Sequence, residues 1–275
     1  MIDMRAEEYL KQSLLQWKAW KKINESACNA LPSVEKELGN GLVNHSFLVR
    51  SGDYRAVIRV NCADPDKLGI NRSRELKILS ALEYADFVPD ILYSDTHVLV
   101  TEYISGMSLD TRSLSSSVIR SRLSSLIERI QATCISGMNR FSYLDCCKGY
   151  ARALPYNPSE VVDWEKLCSV AAELDTACYE PVLCHHDLGL ENIIIRQEAI
   201  FFIDWEFGAL GHPAFDYVKL FGENIPKSNV AHKDISSGAI QQIKFLQSAM
   251  DDLWFAVKKI AEGQAKSGAH NDRKV

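Results

Sequence analysis

Residues 182–206 constrain this chain more than any other stretch. Val182-Leu183-Cys184 is an apolar strand candidate, followed by the polar loop His185-His186-Asp187-Leu188-Gly189-Leu190-Glu191-Asn192 and a second apolar run, Ile193-Ile194-Ile195. A third run, Ala199-Ile200-Phe201-Phe202-Ile203, ends in Asp204-Trp205-Glu206. The loop fits H-x-D-L-x-x-x-N, and Asp204 follows Asn192 by twelve residues. A strand–loop–strand unit with a further strand behind it converges such side chains at one end of the strands. Taken singly, Asp187 is an ordinary turn residue, Asn192 a strand-end hydrogen bonder and Asp204 a helix cap. Together they supply what phosphoryl transfer needs. One carboxylate positions the nucleophile, and two hard oxygen ligands hold a Mg²⁺ that bridges phosphates. His185 reads as a buried histidine bracing the loop. His185 and His186 diverge on a strand, which leaves zinc binding with His212 a poor alternative.

Composition narrows the classes. The 275 residues carry 31 Lys+Arg against 36 Asp+Glu, a net charge of −5, which disfavours nucleic acid as a partner. No apolar run reaches the 18 residues of a membrane span, and the first residues lack the order of a signal peptide. The eight cysteines include no C-x-x-C pair, so they read as core packing rather than metal or disulfide sites. The expectation is a cytoplasmic protein of one large or two small domains.

Along the chain, residues 4–28 have helical spacing of Leu10, Leu14, Leu15, Trp17 and Trp20, and Pro32 ends the run. Strands are expected at 46–50 and 54–60, around the turn Ser51-Gly52-Asp53. A helix follows over about 71–82, then strands at 91–93 and 98–103. Residues 104–108 form a connector. The Ser-rich stretch 113–117 opens an amphipathic helix, the chain is mainly helical beyond it apart from 182–204, and a helix over about 238–262 precedes a polar, frayed tail from Gly263. The plan is α+β, a strand-rich lobe over 1–103 and a larger helical lobe over 104–275, with a cleft between lobes as the natural ligand site.

The first lobe holds candidate nucleotide contacts. Leu38-Gly39-Asn40-Gly41-Leu42-Val43-Asn44-His45-Ser46 is a Gly-containing loop entering a strand, where backbone N–H groups and Asn44 can approach phosphates. It is not a Walker loop, because no G-K-[ST] follows. Arg59 is a cation inside the apolar strand 56–60 and needs a partner there; Glu75 on the next helix is the candidate.

These segments, with Ile70-Asn71-Arg72 ahead of Glu75, resemble the aminoglycoside phosphotransferase/choline kinase superfamily over about 35–260, nearest its bacterial choline-kinase-like and thiamine-kinase-like members. The resemblance implies a two-lobed protein-kinase-like fold, ATP and Mg²⁺, and transfer of the γ-phosphate to an alcohol. Carried over by position, Asp187 is the catalytic base, Asn192 and Asp204 are Mg²⁺ ligands, and Arg59 contacts ATP phosphates while paired with Glu75. Glu102-Tyr103-Ile104 would then hold adenine through backbone groups. One departure stands out: many relatives have Gly where this chain has His186.

For the acceptor, Tyr217, Trp254 and Trp164 are aromatic candidates for a cation cage, with Glu206 as an accompanying carboxylate. Residues 176–225 carry eight carboxylates and two basic side chains, net −6, so the remainder of the chain is nearly neutral. Such local acidity favours a small cationic alcohol as acceptor. An aminoglycoside phosphotransferase and a nucleotide-binding pseudokinase are the alternatives; the basic tail 265–275 counts against the first and the intact Asp187–Asn192–Asp204 set against the second.

Overall fold

The computed structural model describes residues 4–21, 30–38, 43–62, 64–226 and 236–271. Two compact units emerge. Unit 1 comprises Met1–Pro65, Leu82–Ser108 and Ile193–Ile203; unit 2 comprises Asp66–Ala81, Leu109–Asn192 and Asp204–Val275. The chain thus crosses between units several times, whereas the sequence suggested one boundary after residue 103.

Unit 1 is built on a five-stranded antiparallel sheet of order β1-β2-β3-β5-β4, with β1 (Ser33–Glu37), β2 (His45–Ser51), β3 (Tyr54–Val60), β4 (Ile91–Ser94) and β5 (Val98–Glu102). The β2–β3 pair is a two-residue hairpin, registered from His45↔Val60 to Ser51↔Tyr54, and Gly52 supplies the positive φ of +59° that its turn requires. Helix α1 (Met4–Leu15) lays Ala6 and Leu10 on Phe47, Ile58, Val98 and Val100. The helix stops well short of 28. A 3-10 turn, Trp17–Ala19, follows it and ends at Trp20, which is extended and buried in the same core; residues 22–29 lie outside the described set. Strand β1 escaped the sequence reading because Ser-Val-Glu-Lys-Glu is exposed throughout and shows no apolar alternation. A smaller sheet joins β6 (Met107–Ser108), β8 (Ile193–Arg196) and β9 (Ala199–Phe202).

Unit 2 is mainly helical: α2 (Arg72–Ala81), α3 (Thr111–Leu114), α4 (Ser117–Gln131), α5 (Tyr143–Ala153), α6 (Trp164–Thr176), α7 (Phe215–Phe221) and α8 (Ser237–Asn271). A two-stranded sheet pairs β7 (Val182–Cys184) with β10 (Ala209–Gly211). Leu123, Ile127 and Ile130 of α4 and Leu246, Leu253 and Val257 of α8 are buried at helical spacing. Helix α5 starts where Asp175 accepts hydrogen bonds from the Tyr143 and Leu144 N–H groups at 2.8 and 3.1 Å, satisfying donors that a helix start leaves open. Helix α8 continues to Asn271 instead of fraying at Gly263, because Ala261, Gln264, Ala265 and Lys266 are strong helix formers. Among the described residues no helix is long and apolar enough to cross a membrane.

Candidate active site

Strand β7 leads into the loop 185–192. Its next two backbone N–H groups, of His185 and His186, both donate to Asp216 on α7, at 2.7 and 3.0 Å. Asp216 and His185 are fully buried, so this carboxylate anchors the loop instead of facing a ligand. Burial raises the Asp216 pKa, while His185 and the two backbone donors oppose that rise.

His186 adopts a positive φ of 64°, a region that glycine enters freely and a β-carbon disfavours. Such a backbone suits the glycine that the resemblance implies for this position. The histidine is tolerated because its ring packs with Phe141 and Phe215, at centroid separations of 4.9 and 4.6 Å, and meets the Tyr143 hydroxyl at 3.3 Å. Gly211 on β10 makes room: a β-carbon there would stand 2.5 Å from His186 Nε2. Burial, then the Arg74 and His185 charges, pushes the His186 pKa down to about 3, so the ring is neutral.

Asp187 and Asn192 are brought together. The Asn192 Nδ2 donates to the Asp187 backbone oxygen at 2.8 Å and to its Oδ2 at 3.1 Å. That commits the amide nitrogen and leaves Oδ1 outside these two bonds. Asp187 is pushed up to about 6 by burial, with Glu191 and Asp251 adding to the rise and Lys219 opposing it. Lys219 on α7 and Asp251 on α8 form an ion pair of 2.8 Å, so both charges act on Asp187 as a unit. Asp204 follows β9 with φ +63° and opens the short 3-10 turn Trp205–Phe207.

The other candidates divide between the units. In unit 1, Asn44 is buried and its Oδ1 accepts the Cys62 N–H at 3.1 Å. The neighbouring glycine loop, residues 39–42, lies outside the described set. Arg59 is 8% exposed and its Nε donates to Asn61 Oδ1 at 3.3 Å. Glu102 ends β5 and pairs with Arg196 at 3.3 Å; Tyr103 is half-buried and Ile104 buried. In unit 2, Arg72 donates to both Glu75 and Glu206, each at 2.9 Å. Both carboxylates are buried. Glu206 is therefore held at the first turn of α2. Tyr217 is fully buried and its hydroxyl donates to the Ser124 carbonyl at 3.2 Å. Trp254 is half-buried on α8, one turn beyond Asp251, with Phe207 and Phe255 packed edge-on and the Lys258 ammonium 5.8 Å from its ring.

Sequence reasoning did not assign roles to Arg72, Lys219 or Asp251. The i,i+3 spacing of Arg72 and Glu75 was a visible signal for one pair; the third partner lies 134 residues away.

Comparison with known proteins decides the family. The choline/ethanolamine kinase family model matches residues 21–248, most of the chain. The chain belongs to the choline/ethanolamine kinase family. As a choline/ethanolamine kinase family member it is a small-molecule kinase. It is 25% identical to Protein LicA of Haemophilus influenzae over 252 residues, 81% of this chain and 72% of that protein. A second LicA sequence from that organism is 29% identical over 114 residues, which span 36% of this chain and 43% of the relative. The choline kinase LicA from Streptococcus pneumoniae shares the fold with a TM-score of 0.71 at 22% identity, covering 93% of this chain and 91% of that one. LicA in complex with AMP superposes with a TM-score of 0.73 at 20% identity over 92% and 90% of the two chains. The kinase-like two-lobed fold of this family is the fold expected from the sequence.

Proposed function

We propose that this protein transfers the γ-phosphate of ATP to the hydroxyl of a small cationic amino alcohol of the choline or ethanolamine kind. The observation that carries the proposal is the Asp187–Asn192 pair on a loop anchored by Asp216. Asp187 accepts and orients the acceptor hydroxyl, withdrawing its proton as the oxygen attacks phosphorus. Its proximity to pKa 6 suits a base working near neutral pH. Asn192 Oδ1 and Asp204 are hard oxygen donors, which fits Mg²⁺. Among the described residues no group of three His, Cys, Asp or Glu is gathered for a metal. Asn192 and Asp204 would hold such an ion. When bound, Mg²⁺ neutralises charge on the phosphates.

Asn44, Arg59, Glu75 and the 102–104 segment remain the proposed nucleotide contacts. For the acceptor, Trp254 with Asp251 one turn away offers an aromatic face and a carboxylate on the same side of α8. The Ser124 bond and full burial of Tyr217 support a packing role, and the ion pair with Arg72 supports the same for Glu206. The LicA relatives, one of which is described as a choline kinase, support the acceptor class.

A coupled ADP-release screen over choline, ethanolamine, thiamine, amino sugars and aminoglycosides tests the reading. Choline or ethanolamine is expected to give the highest kcat/KM. Asp187→Asn should bind ATP almost normally and lose on the order of 10²–10⁴ in kcat. Trp254→Leu should raise the acceptor KM about tenfold, as expected for a lost cation–π contact, with kcat little changed. Tight ATP binding with no acceptor phosphorylated would replace the proposal by a nucleotide-binding module.

A further inference from the structure

Unit 2 contains a cavity that Asp187, Asn192 and Asp204 do not line. It is a cavity of about 650 Å³ between α2, the 137–142 connector and α5, a size suited to a small-molecule ligand. Four cations line it, Arg74, Lys77, Arg140 and Arg152, against two carboxylates, Asp66 and Asp145. Both carboxylates are exposed, so their fields are damped by water.

The state of Arg74 gives the cavity its meaning. Its Nε and Nη2 are closed off from solvent and have no hydrogen-bond partner among the described residues. Its guanidinium lies over the Phe141 ring, 5.5 Å from the centroid. The groups acting on its charge are the Cys146 thiol and the Tyr150 phenol, with no carboxylate among them, and burial lowers its pKa. A half-buried guanidinium with a ring on one side and no anion is electrostatically incomplete. By contrast, Lys77 donates to the Gly137 carbonyl at 2.9 Å, and Arg140 donates to the Leu174 and Ala177 carbonyls while stacked on Tyr179. Those two are fixed by dipoles that leave their full charge uncancelled. The cavity is therefore walled by oriented positive charge.

We propose that this cavity is a binding site for a small phosphomonoester, held through Arg74 with Lys77 and Arg140 in support. A dianion matches the charge excess. A guanidinium charge favours the dianion through charge-assisted contact. Arg74 and His186 both pack on Phe141, so the occupied site would lie beside the catalytic loop.

The test is calorimetric titration of the full chain, first saturated with Mg²⁺ and a non-hydrolysable ATP analogue so that the nucleotide site is filled. Inorganic phosphate, phosphocholine and AMP are titrated separately at one ionic strength. Saturable binding of phosphate or phosphocholine is expected. Arg74→Met should weaken it roughly ten- to a hundred-fold, as for loss of a charge-assisted contact, and Arg74→Lys less. Phosphocholine tighter than phosphate would assign the site to the phosphorylated product, equal affinity to the free ion; either supports the site. No binding to the nucleotide-saturated protein, or unchanged affinity in Arg74→Met, overturns it. Should Arg74→Met not fold, the exposed-rim pair Lys77→Met/Arg152→Met serves instead, and unchanged affinity there has the same consequence.

Discussion

His186 combines two costs at one residue. Its left-handed backbone costs on the order of 1 kcal/mol for a side chain with a β-carbon, and its buried ring must stay neutral. Because the folded pKa, about 3, lies below the ordinary histidine value, folding expels a proton in acid. The stability this ring contributes is complete above about pH 6.5 and is lost as pH falls towards the folded value. Between pH 7 and pH 5 the loss from this residue should be about 1–2 kcal/mol. His186→Gly removes both the strain and the titration. Urea unfolding at the two pH values should show the variant losing less stability on acidification than the parent. His212, whose pKa is also lowered by burial, to about 4, is present in both proteins and cancels. Equal losses in parent and variant would remove His186 from the acid response. At this scale Asp187 and Asn192 were legible from spacing alone, because a carboxylate and an amide five residues apart met a local hydrogen bond. The glycine departure at 186 was visible too. The aromatic pocket that accommodates the ring was not, since it draws on 141, 143, 211 and 215.

Among the elements, α2 shows how far a pattern carries. Its boundaries, and those of the β2–β3 hairpin, followed from apolar spacing and turn chemistry. Its anchoring did not, because Arg72 reaches Glu206 beyond β9 as well as Glu75 on its own helix. The two glutamates are almost fully buried, and the Arg72 guanidinium is a shared partner of both desolvated carboxylates. Removing a partner from such a group leaves uncompensated charge, and Arg72→Met should destabilise the protein by about 3–5 kcal/mol in urea unfolding. Adding Glu75→Gln and Glu206→Gln to that variant should recover part of the loss. Failure to recover any of it would mean that Arg72 acts by packing its stem. The strands the sequence missed, β1, β6 and β10, lack a readable pattern: the first is exposed on every residue, and Met-Ser and Ala-Leu-Gly are too short to alternate.

For the molecule as a whole, the acidity is uneven: residues 176–225 hold net −6 in a chain of net −5. Asp187 and Asp204 belong to the proposed chemistry, and Asp216 is committed to the loop. The remaining surplus acts at a distance on whatever approaches. Fields of this kind are screened over about 8 Å at physiological ionic strength, and they act on association more than on the bound complex. The consequence separates charge from shape. Choline and its neutral carbon isostere, 3,3-dimethylbutan-1-ol, differ in charge and little else. The ratio of their kcat/KM values should fall as ionic strength rises from about 20 to 200 mM at fixed free Mg²⁺, because only the cation loses attraction. Using the ratio cancels salt effects on nucleotide binding and on stability. A salt-independent ratio would place acceptor selection in short-range contacts such as the Trp254 ring, and the regional charge would then serve only the metal.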